Sequence, residues 1–367
     1  LLLTVAMMVR IGLYEGTHKK YHQTTGGDYK AHLKKAVDAA ETMIYTEKKH
    51  SLYPDFTKLF LFDGEGDKNK ESVFVKIYGP NDAGIITHNN SRGLENTAAV
   101  TRSMVDNFLY TDGLPREKSP LVIRPEVKYA DILENRDPRL AMTLYSVGEQ
   151  AYKGAYTPFK TDDQAHGYGY PIKKGFIMSE WSTNSKETLD KMIIRYAEIL
   201  ISYAEAFYEY NGSISDEKLD ETINTVRRRA GFNTMLTNAF VQANGLNMLD
   251  EIRRERMVEF IDEGLHYDDI IRWKTAEKVL PNAVLGLLYN ADETPVKEKE
   301  LGGRLTDADG KYKGEKLYDE GNIFVIEEAG SRNFDPARDY LYPIPTYEIS
   351  TSGGNIKQNP NWGNAKD

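Results

Sequence analysis

The sequence of 367 residues contains no cysteine and carries no excess of basic residues. The lack of cysteine excludes disulfide bonds, a thiolate nucleophile and cysteine-based metal sites. A formal net charge of −9 argues against a nucleic acid partner, because phosphate backbones are bound by basic stripes. Hydrophobic residues make up 40% of the chain and charged residues 28%, which is typical of a globular protein with a substantial core.

The common catalytic and nucleotide-binding motifs are also absent. There is no Gly-x-Ser-x-Gly elbow, no phosphate-binding loop ending in Gly-Lys, and no Gly-x-Gly-x-x-Gly after a strand. His18 and His22 are four residues apart but lack the Glu of a helical zinc site, and residues 307–310 lack the later ligands of a calcium loop. The sequence therefore predicts no catalytic residue, no metal site and no cofactor.

The chain starts with a short apolar run over residues 1–9. This run is too short to cross a bilayer, which needs about 20 apolar residues, and it lacks the features of a signal peptide. Apolar residues continue at Ile11, Leu13 and Tyr14, which favours a buried helix over residues 1–14. We expect further sequence to precede this helix in the complete protein.

Helical periodicity predicts a helix–helix hairpin over residues 1–50. After a polar connection at residues 16–27, Asp28 is placed to cap a second helix. Apolar residues then recur at helical spacing: Tyr29, Leu33, Ala36, Val37, Ala40 and Ile44. The small side chains of Ala36 and Ala40 favour close approach of the neighbouring helix. This hairpin is similar in kind to one tetratricopeptide (TPR) unit.

A second helical block is predicted over residues 188–280. Its expected helices are residues 189–210, stopped at Gly212, residues 215–230, capped by Ser215, residues 248–262 and residues 267–280. No strict 34-residue period is present, so the array is irregular rather than a regular solenoid. The predicted fold is mainly α, an irregular TPR-like array of helical hairpins with long loops and a few short β-strands.

Between and after the helical blocks, the sequence is rich in Gly, Asn, Asp and Pro. Short strands are expected at residues 73–78, 140–145 and 322–326, and the main loops are residues 79–97, 146–187 and 281–340. We divide a single domain, residues 1–367, into the hairpin at 1–50, a loop-rich ligand-face region at 51–187, the helical core at 188–280 and a loop-rich C-terminal region at 281–367.

A dense charged cluster lies between residues 253 and 272. Glu255 and Glu259 fall on one helical face, and a glycosidase would need two carboxylates about 5–10 Å apart across a cleft. However, each acidic residue of the cluster has an Arg within one helical turn. We therefore interpret the cluster as an ion-pair lattice that joins adjacent helices.

Aromatic residues on the loops are the strongest candidates for a binding role. A flat ring matches the C–H face of a sugar, while amide and charged groups match its hydroxyls. The chain contains 24 Tyr, and many of them fall in the long loops. The candidate glycan-binding residues are Tyr152, Tyr156, Tyr168, Trp181, Asn89, Asn90 and Arg92.

Four groups of segments occur in a characteristic order in the C-terminal half. They are residues 195–205, residues 223–231, residues 252–256 with 263–273, and residues 342–345 with 358–362. In this order they resemble the SusD/RagB family of nutrient-binding surface lipoproteins of Bacteroidetes. Met257 and His266 depart from the family pattern, where Arg is common. The resemblance covers most of the chain and treats these positions as framework: Arg195, Glu198, Arg229, Glu255, Glu263, Asp269, Arg272 and Trp273.

The resemblance implies a non-catalytic protein that binds glycans and delivers them to a SusC-like TonB-dependent transporter. It implies a location on the extracellular face of the outer membrane, with a lipid anchor N-terminal to this chain. In the family pattern an aromatic residue after the Asp-Pro-Arg-Leu segment lies on the ligand face, and Tyr152 matches it by position.

Three alternatives remain open from the sequence. A RagB-like relative captures peptides or proteins instead of glycans, and a helical-repeat adaptor would bind a partner on its concave helical face. A glycoside hydrolase would need two acids near the loop aromatics, where only Glu149, Asp162 and Asp163 are close in sequence.

Overall fold

The computed structural model describes residues 2–23, 27–81, 84–160, 167–183, 185–306 and 322–363. The fold is mainly helical, as predicted. The helices are α1 (Leu2–His22), α2 (Tyr29–Glu41), α3 (Asn90–Asn96), α4 (Arg102–Asn107), α5 (Tyr129–Leu133), α6 (Pro138–Thr143), α7 (Met178–Trp181), α8 (Tyr196–Asn211), α9 (Asp216–Glu221), α10 (Ile223–Arg229), α11 (Asn238–Ala243), α12 (Met248–Glu259), α13 (His266–Arg272), α14 (Ala276–Val279) and α15 (Thr346–Thr351).

Short strands form separate antiparallel two-stranded ribbons in the described ranges. The pairs are β1–β8, β2–β3, β4–β7, β5–β6 and β9–β10. The strands are β1 (Ser72–Lys76), β2 (Gly79–Asn81), β3 (Gly84–Ile86), β4 (Ala99–Val100), β5 (Gln150–Ala151), β6 (Gly154–Ala155), β7 (Tyr170–Pro171), β8 (Lys191–Arg195), β9 (Val284–Leu288) and β10 (Ile323–Glu327). A π-helical turn, Thr42–Glu47, extends α2, and short 3₁₀ turns occur at Lys58–Phe60, Phe62–Gly64, Glu298–Leu301 and Ala329–Ser331.

Helices α1 and α2 form the predicted hairpin, with Asp28 capping α2 by accepting a hydrogen bond from the Lys30 amide. The packing is very close, since a Cβ atom added to Gly12 would lie 2.9 Å from the His32 carbonyl oxygen. The polar connection predicted from residue 16 is wrong, because α1 continues to His22. Gly16 is buried against Leu33 and so serves helix contact instead of a turn.

The helix predicted at residues 189–210 begins later than expected. Residues Lys191–Arg195 form β8, which pairs antiparallel with β1, and α8 starts at Tyr196. The predicted stop is confirmed, because Gly212 caps α8 in the left-handed conformation with φ of +79°. Residues 191–195 were mistaken for helix because Ile193 also fits the helical stripe that continues through Ala197 and Leu200.

The helix predicted at residues 215–230 is present but divided. Ser215 accepts a hydrogen bond from the Lys218 amide, which confirms the predicted cap. Thr222 then leaves helical geometry, with φ of −117° and ψ of −90°, and separates α9 from α10. The last two predicted helices correspond to α12, capped by Asn247, and to α13 with the short α14.

Two of the three strand predictions agree with the structure, as β1 and β10. The third, at residues 140–145, is wrong, because Pro138–Thr143 forms α6. Asp137 caps this helix by accepting from the Arg139 amide, and Pro138 occupies its first turn, where the missing amide hydrogen costs nothing. Strand β9, which pairs with β10, was not predicted from the sequence.

Two hydrophobic cores support the fold. The first joins α1, α2 and α8 with the inner faces of α9 to α12. The second lies beneath the loops and brings Phe108, Leu140 and Tyr170 together with residues of β9 and β10. Among the residues with a described structure, no helix combines the length and apolar character that crossing a membrane requires.

Candidate functional site

Arg195 is the centre of a buried ion-pair lattice that confirms the prediction for the charged cluster. Its guanidinium group donates to Glu263 at 2.7 Å, to Glu71 at 2.8 Å and to Glu259 at 2.7 Å. Arg229 adds a bond to Glu71 at 2.9 Å and also contacts Glu259. Burial acts to raise the pKa of Glu259, but the neighbouring guanidinium groups outweigh it and lower that pKa well below its ordinary value.

A second lattice joins α8 to α13. Glu205 accepts two hydrogen bonds from Arg272, both at 2.7 Å, and one from Trp273 Nε1 at 2.6 Å. Burial opposes ionisation of Glu205, but Arg272 lowers its pKa to about 2. Asp269 binds both Arg256 and Arg272. These buried carboxylates and cations fix the relative position of the helices.

The lattice leaves few carboxylates available for chemistry. Glu255 is paired with Arg139 and Arg227, so the two acids expected of a glycosidase do not face an open cleft at this helix. Glu149 pairs with Lys173 at 2.7 Å. The other acids considered for hydrolysis, Asp162 and Asp163, lie outside the described residues.

Tyr152 and Tyr156 belong to the second core, with exposed fractions of 4% and 2%. The Tyr152 hydroxyl, which has one proton to donate, lies within hydrogen-bond distance of the carbonyl oxygens of Leu94 (3.2 Å) and Ile172 (3.0 Å), and its ring packs edge-on against Phe176. The expectation that these two rings stand exposed on the ligand face is wrong. Both rings pack within the second core, and the Tyr152 hydroxyl also serves a backbone carbonyl oxygen there.

Trp181 and Arg92, which the sequence places in two separate candidate segments, are brought together in the structure. The Arg92 guanidinium lies 4.5 Å from the Trp181 ring centre, and both side chains donate to Glu95, Arg92 at 2.9 Å and Trp181 at 2.6 Å. Burial acts to raise the pKa of Glu95, but hydrogen bonds from Lys153, Trp181 and Arg92 lower it below its ordinary value. Trp181 remains half-buried at the surface of the loop region.

The other candidates are anchored in different ways. Tyr168 packs against Phe159 and Phe324, with ring centres 5.0 and 4.9 Å away. The exposed Asn89 accepts a hydrogen bond from the Ser185 amide at 3.1 Å. Asn90 contacts Lys191 and Gly175, two residues that line a cavity described below.

The described residues form a cavity of about 680 Å³, which we call the main cavity. Lys174 and Glu263, which belong to the Arg195 lattice, line the cavity, and we refer to these two residues as its floor. The β1–β8 ribbon contributes Lys191 to the lining. Phe60 and Tyr78 present aromatic rings to the space. Its size and its mixture of rings with charged groups are typical of ligand pockets.

A smaller cavity of about 330 Å³ adjoins the main one. The two share a partition that contains Phe60 and Lys174. The Lys174 ammonium group donates to Glu263 Oε1 at 2.6 Å and to the Ile261 carbonyl oxygen at 2.8 Å, and it lies 4.1 Å from the Phe60 ring centre. Burial lowers the pKa of Lys174 despite the pairing with Glu263.

The residues that line the main cavity were not predicted from the sequence. Asn90 supports two lining residues of the main cavity. Its Oδ1 accepts a hydrogen bond from Lys191 at 2.5 Å, and its Nδ2 donates to the Gly175 carbonyl oxygen at 3.2 Å. Lys191 was assigned to a helix and Asp262 to the ion-pair lattice, so neither was considered for binding. The strand-like alternation around Val73 was the available signal, since β1 forms part of the cavity wall.

Metal binding finds no support in the described part of the chain, where no three His, Asp or Glu side chains are grouped to hold an ion. His18 and His22 stack on each other with ring centres 4.1 Å apart, and His22 Nε2 contacts the Ile271 carbonyl oxygen at 2.7 Å. These two residues therefore take part in helix packing. Residues 307–310, considered for calcium, lie outside the described residues.

These features define a mainly helical protein in which ion-pair lattices support loop-built cavities. A model of the SusD family matches residues 59–362. Because this match covers most of the chain, the protein belongs to the SusD family, and the resemblance seen in the sequence is confirmed. The chain is also 31% identical over 135 residues to a SusD-like protein of Bacteroides ovatus, a match that covers 34% of this chain and 22% of that protein.

Solved structures agree with the fold. A SusD-like carbohydrate binding protein from Bacteroides fragilis has 22% identity and a TM-score of 0.64, covering 90% of this chain and 65% of that one. A second SusD-like protein from Bacteroides fragilis has 20% identity and a TM-score of 0.64, covering 98% and 64%. The chain thus spans slightly less than two thirds of the length of these structures.

Proposed function

We propose that this protein binds glycans in the main cavity, without a chemical step, and passes them to a SusC-like TonB-dependent transporter. The observation that carries the proposal is the main cavity itself, a space of about 680 Å³ in a SusD-family fold. It combines the rings of Phe60 and Tyr78 with the polar groups of Asp190, Lys191 and Asp262. Rings that cover C–H patches, beside donors and acceptors for hydroxyls, suit a sugar.

The absence of a chemical step is supported by the state of the acidic residues. Glu263 on the cavity floor is bound by both Lys174 and Arg195, so it is held in an ionised, hydrogen-bonded form. Burial would raise its pKa, but the two cations lower that pKa below its ordinary value. A general acid for glycosidic cleavage needs the opposite shift, toward a protonated carboxyl group at neutral pH.

Membership of the SusD family supports a proposal for the location and the partner. We propose that the protein lies on the extracellular face of the outer membrane, held by a lipid anchor N-terminal to this chain, and caps its transporter. Binding in an open, wet cavity would be weak for a single sugar, so affinity would come from several contacts and from avidity with the transporter.

The loop residues predicted from the sequence are proposed as contacts outside the cavity. Trp181 and Arg92 form one half-buried surface group, while Asn89 and Tyr168 mark other parts of the loop region. Asn90 acts through Lys191 and is therefore a positioning residue. A long glycan that leaves the cavity would reach these groups.

A peptide is the second candidate ligand. Exposed apolar side chains border the main cavity on the β1–β8 side, namely Ile77 at 63% and Ile193 at 42% exposure. Such side chains suit the apolar residues of an extended peptide better than they suit a sugar.

The test is binding to a panel of soluble polysaccharides and peptides, measured by affinity electrophoresis and calorimetry, with an assay for released reducing ends. We expect at least one glycan to retard the wild type without hydrolysis. Tyr78→Ala should weaken this binding, whereas Tyr347→Ala, at an exposed ring of α15, should leave it unchanged.

The possible results separate the candidates. Release of reducing ends would refute the non-catalytic assignment. Binding of peptides alone would replace the glycan with the second candidate. Equal effects of the Tyr78 and Tyr347 variants would show that the main cavity is not the binding site.

A further inference from the structure

Asp262 projects from a turn that the surrounding protein holds in place. Its backbone has φ of +62°, a left-handed conformation that Asp and Asn adopt more readily than other residues apart from Gly. Two buried cations bind the main chain of this turn, Lys174 at the Ile261 carbonyl oxygen (2.8 Å) and Arg195 at the Glu259 carbonyl oxygen (2.9 Å). The turn is therefore fixed from the floor of the main cavity, which Asp262 lines.

The Asp262 carboxylate has hydrogen-bonding capacity to spare. A carboxylate can accept about four hydrogen bonds. Across the described ranges, the Asp262 carboxylate accepts none and forms no ion pair. Desolvation by the surrounding protein raises the pKa of Asp262, and the nearby cations Lys174 and Lys191 oppose that change. Because Asp262 is exposed and its turn is held in place, its carboxylate oxygens are accessible to a ligand in the main cavity.

Lys191 offers the complementary donor in the same cavity. Its ammonium group donates to Asn90 Oδ1 at 2.5 Å, and no carboxylate pairs with it in the parts of the chain that the structure describes. Asn90 is itself fixed by the Gly175 carbonyl oxygen. Since an ammonium group has three hydrogens, Lys191 keeps two donors for a ligand. Burial lowers the pKa of Lys191, and Asp262 is the leading charge that opposes this shift.

We infer that Asp262 and Lys191 together read adjacent hydroxyl groups of a neutral sugar unit. A hydroxyl both donates and accepts, so one hydroxyl can donate to the Asp262 carboxylate while its neighbour accepts from the Lys191 ammonium group. The inference rests on the proposed function and specifies the ligand class of the same cavity. Tyr78 and Phe60 supply the apolar surface for the ring of the sugar.

The charges favour a neutral sugar over an acidic one. Asp262 and Lys191 sum to zero, and Glu263 on the floor is already neutralised by Lys174 and Arg195. A sugar carboxylate or sulfate placed between the pair would gain from Lys191 but would be repelled by Asp262. The pair thus selects against uronic acid and sulfated sugars at this position.

The test compares wild type with Asp262→Asn and Lys191→Met against neutral glycans and against uronic acid-containing and sulfated glycans, by calorimetry. Asn tolerates a left-handed backbone, so Asp262→Asn should remove the charge while keeping the turn. Lys35→Met is the matched control, because Lys35 is exposed on α2 and does not line the main cavity. Thermal unfolding of each variant checks that it folds.

We expect wild type to prefer a neutral glycan and each cavity variant to lose about tenfold or more in affinity, as loss of a charged hydrogen bond implies. The control should bind like wild type. Unchanged binding by folded Asp262→Asn and Lys191→Met would overturn the inference while leaving glycan capture intact. Preference for acidic glycans would also overturn it. A wild type that binds no glycan would remove the proposed function and the inference together.

Discussion

Replacing Glu205 with Gln tests whether the buried lattice stabilises the fold in the way that its geometry indicates. Glu205 is fully buried and accepts three short hydrogen bonds, two from Arg272 and one from Trp273. Gln keeps the shape of the side chain but removes its charge. The variant leaves the Arg272 cation buried with only Asp269 as an acidic partner.

The magnitude follows from the pKa. Glu205 has a folded pKa of about 2, against an ordinary value of 4.5. Because the folded value is the lower one, the stabilisation is complete above pH 4.5 and is lost as the pH falls toward 2. At about 1.4 kcal/mol for each pH unit, it amounts to about 3 kcal/mol at pH 7 and about 1.4 kcal/mol at pH 3.

Urea unfolding of wild type and Glu205→Gln at pH 7 and pH 3 measures this difference. The gap in unfolding free energy should be about 3 kcal/mol at pH 7 and should shrink by about half at pH 3. Glu217→Gln is the matched control, because Glu217 is exposed and forms no ion pair among the described residues. A gap that is equal at both pH values would refute the assignment of the stabilisation to the charge of Glu205.

Three further changes test the packing. Gly12→Ala should lower the unfolding free energy, measured by thermal unfolding, by about 1–3 kcal/mol, because the new methyl group would meet the α2 backbone. Gly93→Ala is its control, because the space around Gly93 is open, and this variant should be neutral or stabilising in the same measurement. Tyr152→Phe should cost about 1–2 kcal/mol in urea unfolding with unchanged glycan affinity, and a loss of affinity alone would contradict the core role. Asn247→Ala should cost about 1 kcal/mol by loss of the α12 cap, and an unchanged helix stability by circular dichroism would contradict that role.

The helical framework could be predicted from the sequence because its signals are local. Helical spacing, the caps at Asp28 and Ser215 and the stop at Gly212 each depend on a few neighbouring residues, and each is present in the structure. The ion-pair lattice was also predictable, since its charged residues recur at helical intervals. Errors arose where a tertiary contact decided the outcome, as at β8, which becomes a strand only by pairing with β1.

The candidate site was harder to predict because its parts come from distant segments. Lys191 follows the long loop region, Asp262 follows α12, and Tyr78 follows β1. Composition could not distinguish a tyrosine that lines a cavity, such as Tyr78, from one that fills a core, such as Tyr152. That difference depends on which carbonyl groups and rings surround each side chain, and this information is absent from a single sequence.

Lys174 gives the two cavities a shared wall, and this has a thermodynamic consequence. A ligand that draws the Lys174 ammonium group toward one cavity would alter the wall of the other cavity. It would also shift the ion pair between Lys174 and Glu263. A ligand that moved Lys174 in this way would couple the binding energies of the two cavities. Such coupling is reciprocal. If a ligand in the main cavity changes the affinity of the smaller cavity by some factor, a ligand in the smaller cavity changes the affinity of the main cavity by the same factor.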